Sequence, residues 1–260
     1  MREAAVAGAF YPDNEAACKR LLNEFFSKAR EPSEKSVAVV SPHAGWIYSG
    51  LTCAFAINAL KKAETFAVIS PNHTGYGSAV SISAEDWRTP FGVVKNDVAL
   101  GEAIADSGGF DVDEAAHLQE HSIEVILPFL QFKFKDFKVV PVTVMRQTEA
   151  VAKKLAKAVF DAAPSVGLVA SSDFTHYEQA AVAKAKDETV IEAITELDVD
   201  GLFNALRVTG ASVCGYAPIA VAMEFARLSG AEEGRLLHFS NSGEKTGDSK
   251  VVDYAAIAFT

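Results

Sequence analysis

The hydrophobic positions of this chain form short continuous runs that alternate with longer stretches in which apolar residues recur every three or four positions. A short apolar run predicts a strand buried on both faces, and the three-to-four spacing predicts a helix with one apolar face. The predicted strands lie at 37–40, 66–69, 78–83, 137–144, 166–171, 235–240 and 251–258. The predicted helices lie at 13–29, 50–62, 96–106, 119–132, 148–162, 179–196 and 215–229.

This alternation predicts an α/β fold, in which a largely parallel sheet is covered by helices on both faces as a three-layer α/β/α sandwich. The last two strands are separated by only about ten residues, which is too short for a parallel crossover. Those strands are therefore expected to pair antiparallel, which would make the sheet mixed. The chain has 260 residues and no break in composition, so one domain over 1–260 is predicted.

Three of the predicted strands end in the same way. The motifs SPH, SPNH and SSDFTH follow the strands that begin at residues 37, 66 and 166. They place His43, His73 and His176, the last preceded by Asp173, within a few residues of a strand end. Because the carboxyl ends of parallel strands meet at one edge of a sheet, we expect these side chains to converge there.

Converging imidazoles favour a transition-metal site, since imidazole is the commonest ligand of such metals. Two histidines with a carboxylate would suit non-haem Fe(II), and two histidines with a cysteine would suit zinc or iron. Cys214 precedes Gly215 and a predicted helix, whose positive end is expected to stabilise a thiolate. The alternatives remain open: a structural, hydrogen-bonded role for each histidine and a buried, inert cysteine at 214.

The segment HLQEHSIEVILPFLQF carries two further histidines, His117 and His121, four residues apart. Helical spacing would put them on one face of the predicted helix. The HExxH pattern of zinc proteases is absent. We interpret His117 and His238 as structural, and leave His121 open between a structural and a functional role.

Composition narrows the classes of function. The net charge of −10 and the pI of about 5.1 argue against nucleic acid or an anionic membrane as a partner. The sequence has neither an apolar run of the roughly 18 residues that span a bilayer nor a secretory signal, so a cytoplasmic protein is expected. The glycine-rich dinucleotide-binding motif and the P-loop motif are absent. The GxSxG nucleophile elbow is also absent, which disfavours a serine hydrolase.

The sequence contains six motifs that together are specific to one protein family. In chain order they are AGAFYP, SPHAGWIYSG, SPNHTGYG, EHSIEVILPFL, SSDFTHY and VCGYAPI. Over essentially its whole length the sequence resembles the Memo family, whose bacterial and archaeal members are often called AmmeMemoRadiSam system protein B. That family is similar in fold to the catalytic subunits of class III extradiol dioxygenases, which are non-haem iron enzymes. The resemblance thus implies an extradiol dioxygenase-like fold with its site at the shared sheet edge.

The resemblance also implies roles for individual residues. In those dioxygenases two histidines and a glutamate hold iron, and another histidine acts as acid and base. His43 and His73 match the two histidine ligands, and Cys214 stands where the carboxylate would be. Three further residues are implied to be catalytic and to line or adjoin the same pocket: His176, Asp173 and His121.

The implied cofactor is a divalent or redox metal ion, with iron favoured. Zinc and copper stay open, because a thiolate in place of a carboxylate shifts metal preference towards softer ions.

The function expected from this resemblance is that of a metal-dependent, dioxygenase-like oxidoreductase acting on a small molecule. The alternative is a non-enzymatic scaffold that binds a metal or a peptide in the same pocket. Aromatic residues near the loops would line its groove: Phe10, Tyr11, Trp46, Tyr48 and Tyr76. The family's name further implies association with AMMECR1-like and radical-SAM proteins.

Overall fold

A mixed sheet of eleven strands forms the middle layer of the protein in a computed structural model, which describes residues 1–260. The strands are β1 (Ala38–Ser41), β2 (Thr65–Pro71), β3 (Val80–Ile82), β4 (Trp87–Thr89), β5 (Gly92–Asn96), β6 (Asp111–Val112), β7 (Lys138–Val144), β8 (Gly167–Ser171), β9 (His176–Gln179), β10 (Gly234–Asn241) and β11 (Lys250–Phe259).

The main path of the sheet runs in the order β10-β11-β1-β8-β2-β7-β3-β6. Its centre is parallel: β1 pairs with β8, β8 with β2, and β2 with β7 in the same direction. The C-terminal strands β10 and β11 pair antiparallel, and β11 also runs antiparallel to β1. The prediction of a largely parallel but mixed sheet is confirmed.

Nine helices cover the sheet, and none of them has both the length and the apolar character needed to cross a membrane. A single 3-10 turn occupies Glu114–Ala116. The helices are α1 (Glu15–Lys28), α2 (Trp46–Ala59), α3 (Val98–Gly108), α4 (Leu127–Lys133), α5 (Glu149–Ala162), α6 (Ala180–Thr195), α7 (Val199–Thr209), α8 (Tyr216–Leu228) and α9 (Gly243–Thr246).

Alternate residues of the central strands belong to two separate cores, one on each face of the sheet. In β1, Val40 packs with α3 and α5 to α8, whereas its neighbour Val39 packs with α1, α2 and α4. In β2, Ile69 and Val68 divide in the same way. Because successive side chains of a strand point to opposite faces, a strand buried on both sides needs an unbroken apolar run. The α/β/α sandwich predicted from those runs is confirmed.

The predicted helix over 119–132 is wrong in its first half. Only α4, Leu127–Lys133, is helical, and the segment before it forms a series of turns. The Arg2 guanidinium donates to the carbonyl oxygens of His117 and Glu120, and the Glu120 carboxylate accepts from the Ser122 N–H. These side chains take backbone groups that a helix would have paired internally, so the apolar spacing alone misleads.

Arg2 anchors this turn segment from the other end of the chain. Its guanidinium forms a buried ion pair with Glu124 and lies over the Trp87 ring, 4.4 Å from the centroid. Arg2 is 2% exposed and Glu124 is fully buried. A buried ion pair of this kind is destabilising to break, because the remaining charge is left without a partner in a poorly solvated place.

We therefore predict that Glu124→Gln lowers the free energy of unfolding by about 3–5 kcal/mol, as measured by urea denaturation. Glu3→Gln is the matched control, because Glu3 pairs with Arg88 at the surface, where solvent screens the charges. The control should leave stability nearly unchanged. Equal losses in the two variants would contradict the role given to the buried pair.

Candidate functional site

The carboxyl ends of three parallel strands carry the site. His43 lies two residues beyond the end of β1, His73 two beyond β2, and Asp173 two beyond β8. Since β8 lies between β1 and β2 and pairs with both in parallel, the three loops leave the same edge of the sheet. The repeated Ser-Pro and Ser-Ser strand endings thus bring His43 and His73 together, with ring centroids 5.2 Å apart.

A third imidazole completes this group. His121, from the turn segment before α4, lies with its ring 4.8 Å from that of His73 and 5.5 Å from that of His43. The potential ligand atoms of the three residues, called here the histidine cluster, all lie within 4.8 Å of one another. His43 is 2% exposed, whereas the His73 and His121 side chains are 34% and 23% exposed. The cluster therefore could hold a metal ion that solvent can reach from one side.

Cys214 adjoins the cluster through His43. Its Sγ lies 3.3 Å from His43 Nε2 and accepts a hydrogen bond from the Asp173 N–H at 3.2 Å. The loop that carries Cys214 lies very close to the end of β8, since a Cβ on Gly215 would fall 2.3 Å from the Ser171 carbonyl oxygen. Glycine at 215 is what allows the sulfur to come this close to His43.

The hydrogen bonds of His43 define its tautomer. Ser171 Oγ donates its one proton to the Ser122 carbonyl oxygen at 2.7 Å, so it accepts from His43 Nδ1–H, also at 2.7 Å. His43 Nε2 therefore keeps its lone pair, which is the form of histidine that binds metals. Burial, reinforced by the neighbouring histidines, holds the pKa of His43 well below its usual value and keeps the ring neutral.

Glu120 fixes the second histidine. Its fully buried carboxylate accepts from the His73 N–H at 2.6 Å and from His73 Nδ1–H at 3.0 Å. Ser122 donates to the same carboxylate through its N–H and Oγ, and His121 Nδ1 lies 3.4 Å away. Burial acts to raise the pKa of Glu120, but the hydrogen bonds and charge of His73 outweigh it and lower the pKa to about 2. The carboxylate thus stays ionised and holds His73 through Nδ1, so that Nε2 is the ring nitrogen not engaged by Glu120.

Asp173 and His176 occupy different positions in the site. Asp173 accepts from the His43 N–H at 2.8 Å, and burial raises the pKa of this carboxyl to about 6. No hydrogen bond joins Asp173 to His176. Instead, His176 Nδ1 donates to the Ser212 carbonyl oxygen at 2.9 Å, and the Ser212 hydroxyl accepts from the His176 N–H. Ser212 therefore orients the His176 ring, and Nε2 is the ring nitrogen that makes no hydrogen bond within the protein.

The thiol of Cys214 does not have the lowered pKa expected from its place before α8. Burial, with the negative charge of Asp173, raises the pKa of the thiol and favours its neutral form. Gln147, just beyond the end of β7, holds this loop by donating to the Cys214 carbonyl oxygen at 2.7 Å and accepting from the Ala217 N–H. A metal at Cys214 would therefore have to displace a proton from the sulfur.

The histidine cluster, with Asp173 and His176, lines a cleft of about 610 Å³. Its remaining wall combines four aromatic residues with aliphatic, hydroxyl and charged side chains. These wall residues include Phe10, Tyr48, Tyr177, Tyr254 and Lys250. Two of the aromatic residues predicted for such a groove, Phe10 and Tyr48, are thus present.

Three other predicted groove residues lie elsewhere. Tyr11 and Trp46 stack on each other in the core beneath α2, and Tyr76 is 66% exposed outside the cleft. Position in a loop or at the start of a helix did not distinguish residues that face the cleft from those that face the core.

Sequence comparisons with known proteins identify the family of this chain. Residues 2–258 match the sequence model of the family described as Memo-like protein. A MEMO1 family protein of Methanosarcina barkeri is 43% identical over 263 residues, covering 99% of each chain. Another, from Archaeoglobus fulgidus, is 41% identical and covers 100% of this chain and 99% of its own. The chain belongs to the Memo family. A third relative, from Methanothermobacter thermautotrophicus, is 40% identical over 99% of this chain and all of its own.

The six site residues predicted for this Memo-family chain all lie at the same edge of the sheet. Their assignment as ligands or catalytic groups stays a prediction. They fall into the histidine cluster, two residues that contact His43, and one residue on the cleft wall. In that order they are His43, His73 and His121; Cys214 and Asp173; and His176.

Sequence reasoning missed the residues that hold these side chains. Ser171, Glu120 and Gln147 orient His43, His73 and the Cys214 loop. The signal for Glu120 was present, since it directly precedes His121 in the EHS motif. Gln147 follows a strand with no histidine and offered no pattern to notice.

Two histidines lie outside the site, as interpreted from the sequence. His117 is fully buried and packs edge-on against Trp87, and its Nε2–H donates a hydrogen bond to the Ser81 carbonyl oxygen. His238 stacks on Phe55 with ring centroids 4.5 Å apart. Their packing gives both a structural role.

We predict that Glu120→Gln weakens metal binding about 10- to 100-fold, because the amide cannot accept from both donors of His73 as a carboxylate does. A chelator competition measures this affinity. Glu114→Gln is the matched control, since Glu114 accepts two hydrogen bonds, from Ser83 and Ala84, away from the cluster. Equal affinities in Glu120→Gln and the wild type would refute the positioning role of Glu120.

Proposed function

We propose that this chain is a metal-dependent oxidoreductase that acts on a small molecule bound in the cleft. The observation that carries the proposal is the histidine cluster, whose potential ligand atoms all lie within 4.8 Å of one another in the lining of a cleft. A site that offers metal ligands and space for a substrate together is the arrangement that metal catalysis requires.

The donor set fits a transition metal. When neutral, His43 and His73 each carry the lone pair at Nε2, because Nδ1 of each ring donates a hydrogen bond. Burial acts to lower the pKa of His73, but hydrogen bonding to Glu120 outweighs it and raises the pKa, so a metal would displace a proton from this ring more readily as the pH rises. The 3.3 Å between His43 Nε2 and Cys214 Sγ suits two ligands of one ion, since bonds of roughly 2.0 Å to nitrogen and 2.3 Å to sulfur separate tetrahedral neighbours by about 3.5 Å. Imidazole and thiolate together accept iron, zinc or copper. Iron is favoured by the likeness to extradiol dioxygenases.

When bound, such a metal would supply a Lewis acid or a redox centre next to the substrate. The chain's own residues supply proton transfer and shape. His176 has its Nδ1 held by Ser212, so its Nε2 is the nitrogen that takes up or releases a proton. Asp173 holds the backbone of His43 in place. Phe10, Tyr48 and Tyr254 give the cleft an apolar surface on which a substrate ring could pack.

A second candidate is a non-enzymatic scaffold that binds a metal or a peptide at the same cleft. The observation that favours it is Tyr177, which is 75% exposed at the rim, close to Lys250 in the same lining. Tyrosine is enriched at surfaces where proteins contact one another. Association with AMMECR1-like or radical-SAM proteins would belong to this candidate.

Elemental analysis of protein purified anaerobically under reducing conditions tests the metal site. We predict roughly one metal ion per chain in the wild type, and its loss in His43→Ala and His121→Ala, because each removes a ligand from a single site. His238→Ala is the matched control, since His238 is structural and distant in the fold.

Cys214→Ser then decides the role of the thiol. Loss of metal in this variant would make the sulfur a ligand, and retention would restrict the ligands to the histidine cluster. A wild type that stays metal-free after reconstitution, or a His121→Ala variant with full occupancy, would contradict the proposed site.

Oxygen consumption by the metal-loaded protein with phenolic substrates separates enzyme from scaffold. An enzyme should show turnover that falls about 10²- to 10⁴-fold in His176→Ala while the metal content stays constant. A fully loaded protein without turnover that captures a partner would favour the scaffold.

A further inference from the structure

Two fully buried carboxyl groups, Asp187 and Asp253, meet outside the histidine cluster. Asp187 comes from α6 and Asp253 from β11, and the two side chains lie within hydrogen-bonding reach of each other. Neither belongs to the histidine cluster. A pair of carboxylates in such a place repels strongly unless a proton or a cation lies between them.

Only one of the two carboxyl groups, that of Asp187, accepts hydrogen bonds from other residues. Asp187 accepts from the Thr175 N–H at 3.0 Å and from Thr175 Oγ at 2.6 Å. Neither carboxyl oxygen of Asp253 accepts a hydrogen bond from any donor group. A buried ionised carboxylate without a donor is very unfavourable, whereas a protonated Asp253 can itself donate to Asp187. The arrangement is therefore complete when the pair carries one proton.

We propose that Asp187 and Asp253 share one proton, and that this protonated pair positions His176 by holding Thr175. The role of His176 in proton transfer rests on the function proposed above. The shared proton itself does not, because it follows from burial and hydrogen bonding alone.

Thr175 is held from two sides, directly before His176. Asp187 accepts from the Thr175 N–H and hydroxyl, and the Asp253 N–H donates to the Thr175 carbonyl oxygen at 3.0 Å. On the other side of His176, Tyr177 has a φ of 59°, in the left-handed region that side chains with a Cβ seldom adopt. A strained residue persists only where its surroundings determine it. The carboxyl pair supplies that restraint on one side of His176.

The charged groups near Asp253 are few. Asp187 and Lys184 face it from α6, and Glu244 faces it from α9, while His176 of β9 faces Asp187. Burial, then the charge of Asp187, raises the pKa of Asp253 to about 8. Because this pKa is higher in the folded than in the unfolded chain, the stability it contributes is complete at acidic pH and is lost as the pH rises towards 8.

Asp253→Asn tests the pair, because the amide donates to Asp187 at every pH and cannot ionise. The measurement is urea unfolding of the metal-free protein from pH 5 to pH 9. Relative to Asp253→Asn, the unfolding equilibrium constant of the wild type should rise up to about tenfold per pH unit between pH 5 and pH 8. The control Asp106→Asn, at an exposed position of α3, should follow the wild type. Parallel pH profiles of wild type and Asp253→Asn would overturn the proposal.

Two further readouts use the wild type in case the variant does not fold. Infrared spectroscopy should show the C=O band of a protonated carboxylic acid that disappears near pH 8, above the range in which Asp173 titrates. Absence of such a band at pH 7 would refute the shared proton. The NMR signals of the His176 ring should move between pH 7 and pH 9 as the pair ionises, and an unchanged ring would refute its positioning.

None of these readouts involves a metal. A chain that binds no metal can still show the shared proton, and a chain that binds metal can still lack it. Failure of this inference is thus distinguishable from failure of the proposed function.

Discussion

The buried carboxylate of Glu120 is the constraint on which the histidine cluster depends. It has four hydrogen-bond donors, two on His73 and two on Ser122, and it adjoins the ring of His121. One ionised group therefore fixes the loop after β2, the turn segment before α4 and the tautomer of His73. Losing any of these donors would leave the carboxylate partly unsatisfied in a place without water, so the parts hold one another in place.

The same segment is held from the N-terminus by Arg2, whose guanidinium binds the carbonyl oxygens of His117 and Glu120 and pairs with Glu124. A buried ion pair thus anchors a segment whose apolar spacing would otherwise favour a helix. In a helix, the side chains at positions 120 and 121 would point about 100° apart. The turns instead let Glu120 and His121 both face His73. The absence of a helix in this segment is therefore what allows both side chains to contact His73.

Much of the fold follows from the sequence, because burial on both faces imposes unbroken apolar runs on β1, β2, β7 and β8. The convergence of His43, His73 and Asp173 was predicted from the sequence, because motifs that follow neighbouring parallel strands lie at the same edge of the sheet. The short hairpin of β4 and β5 and the polar strand β9 were not predicted, because their residues follow no long apolar pattern. The failed helix over 119–132 had the right spacing, but its backbone is bound by Arg2, 115 positions away from His117 in the chain.

The residues that orient the histidine cluster were not predicted for the same reason, because they are distant in sequence: Ser171 bonds to His43 across 128 positions.

A crystal structure of the metal-loaded protein, with anomalous diffraction measured at the absorption edge of the metal, tests most directly whether the histidine cluster holds a metal. A metal held by the histidine cluster would give one peak, roughly 2.0 to 2.3 Å from imidazole nitrogens of His43, His73 and His121. A peak at another place, or coordination that leaves out His73 or His121, would contradict it.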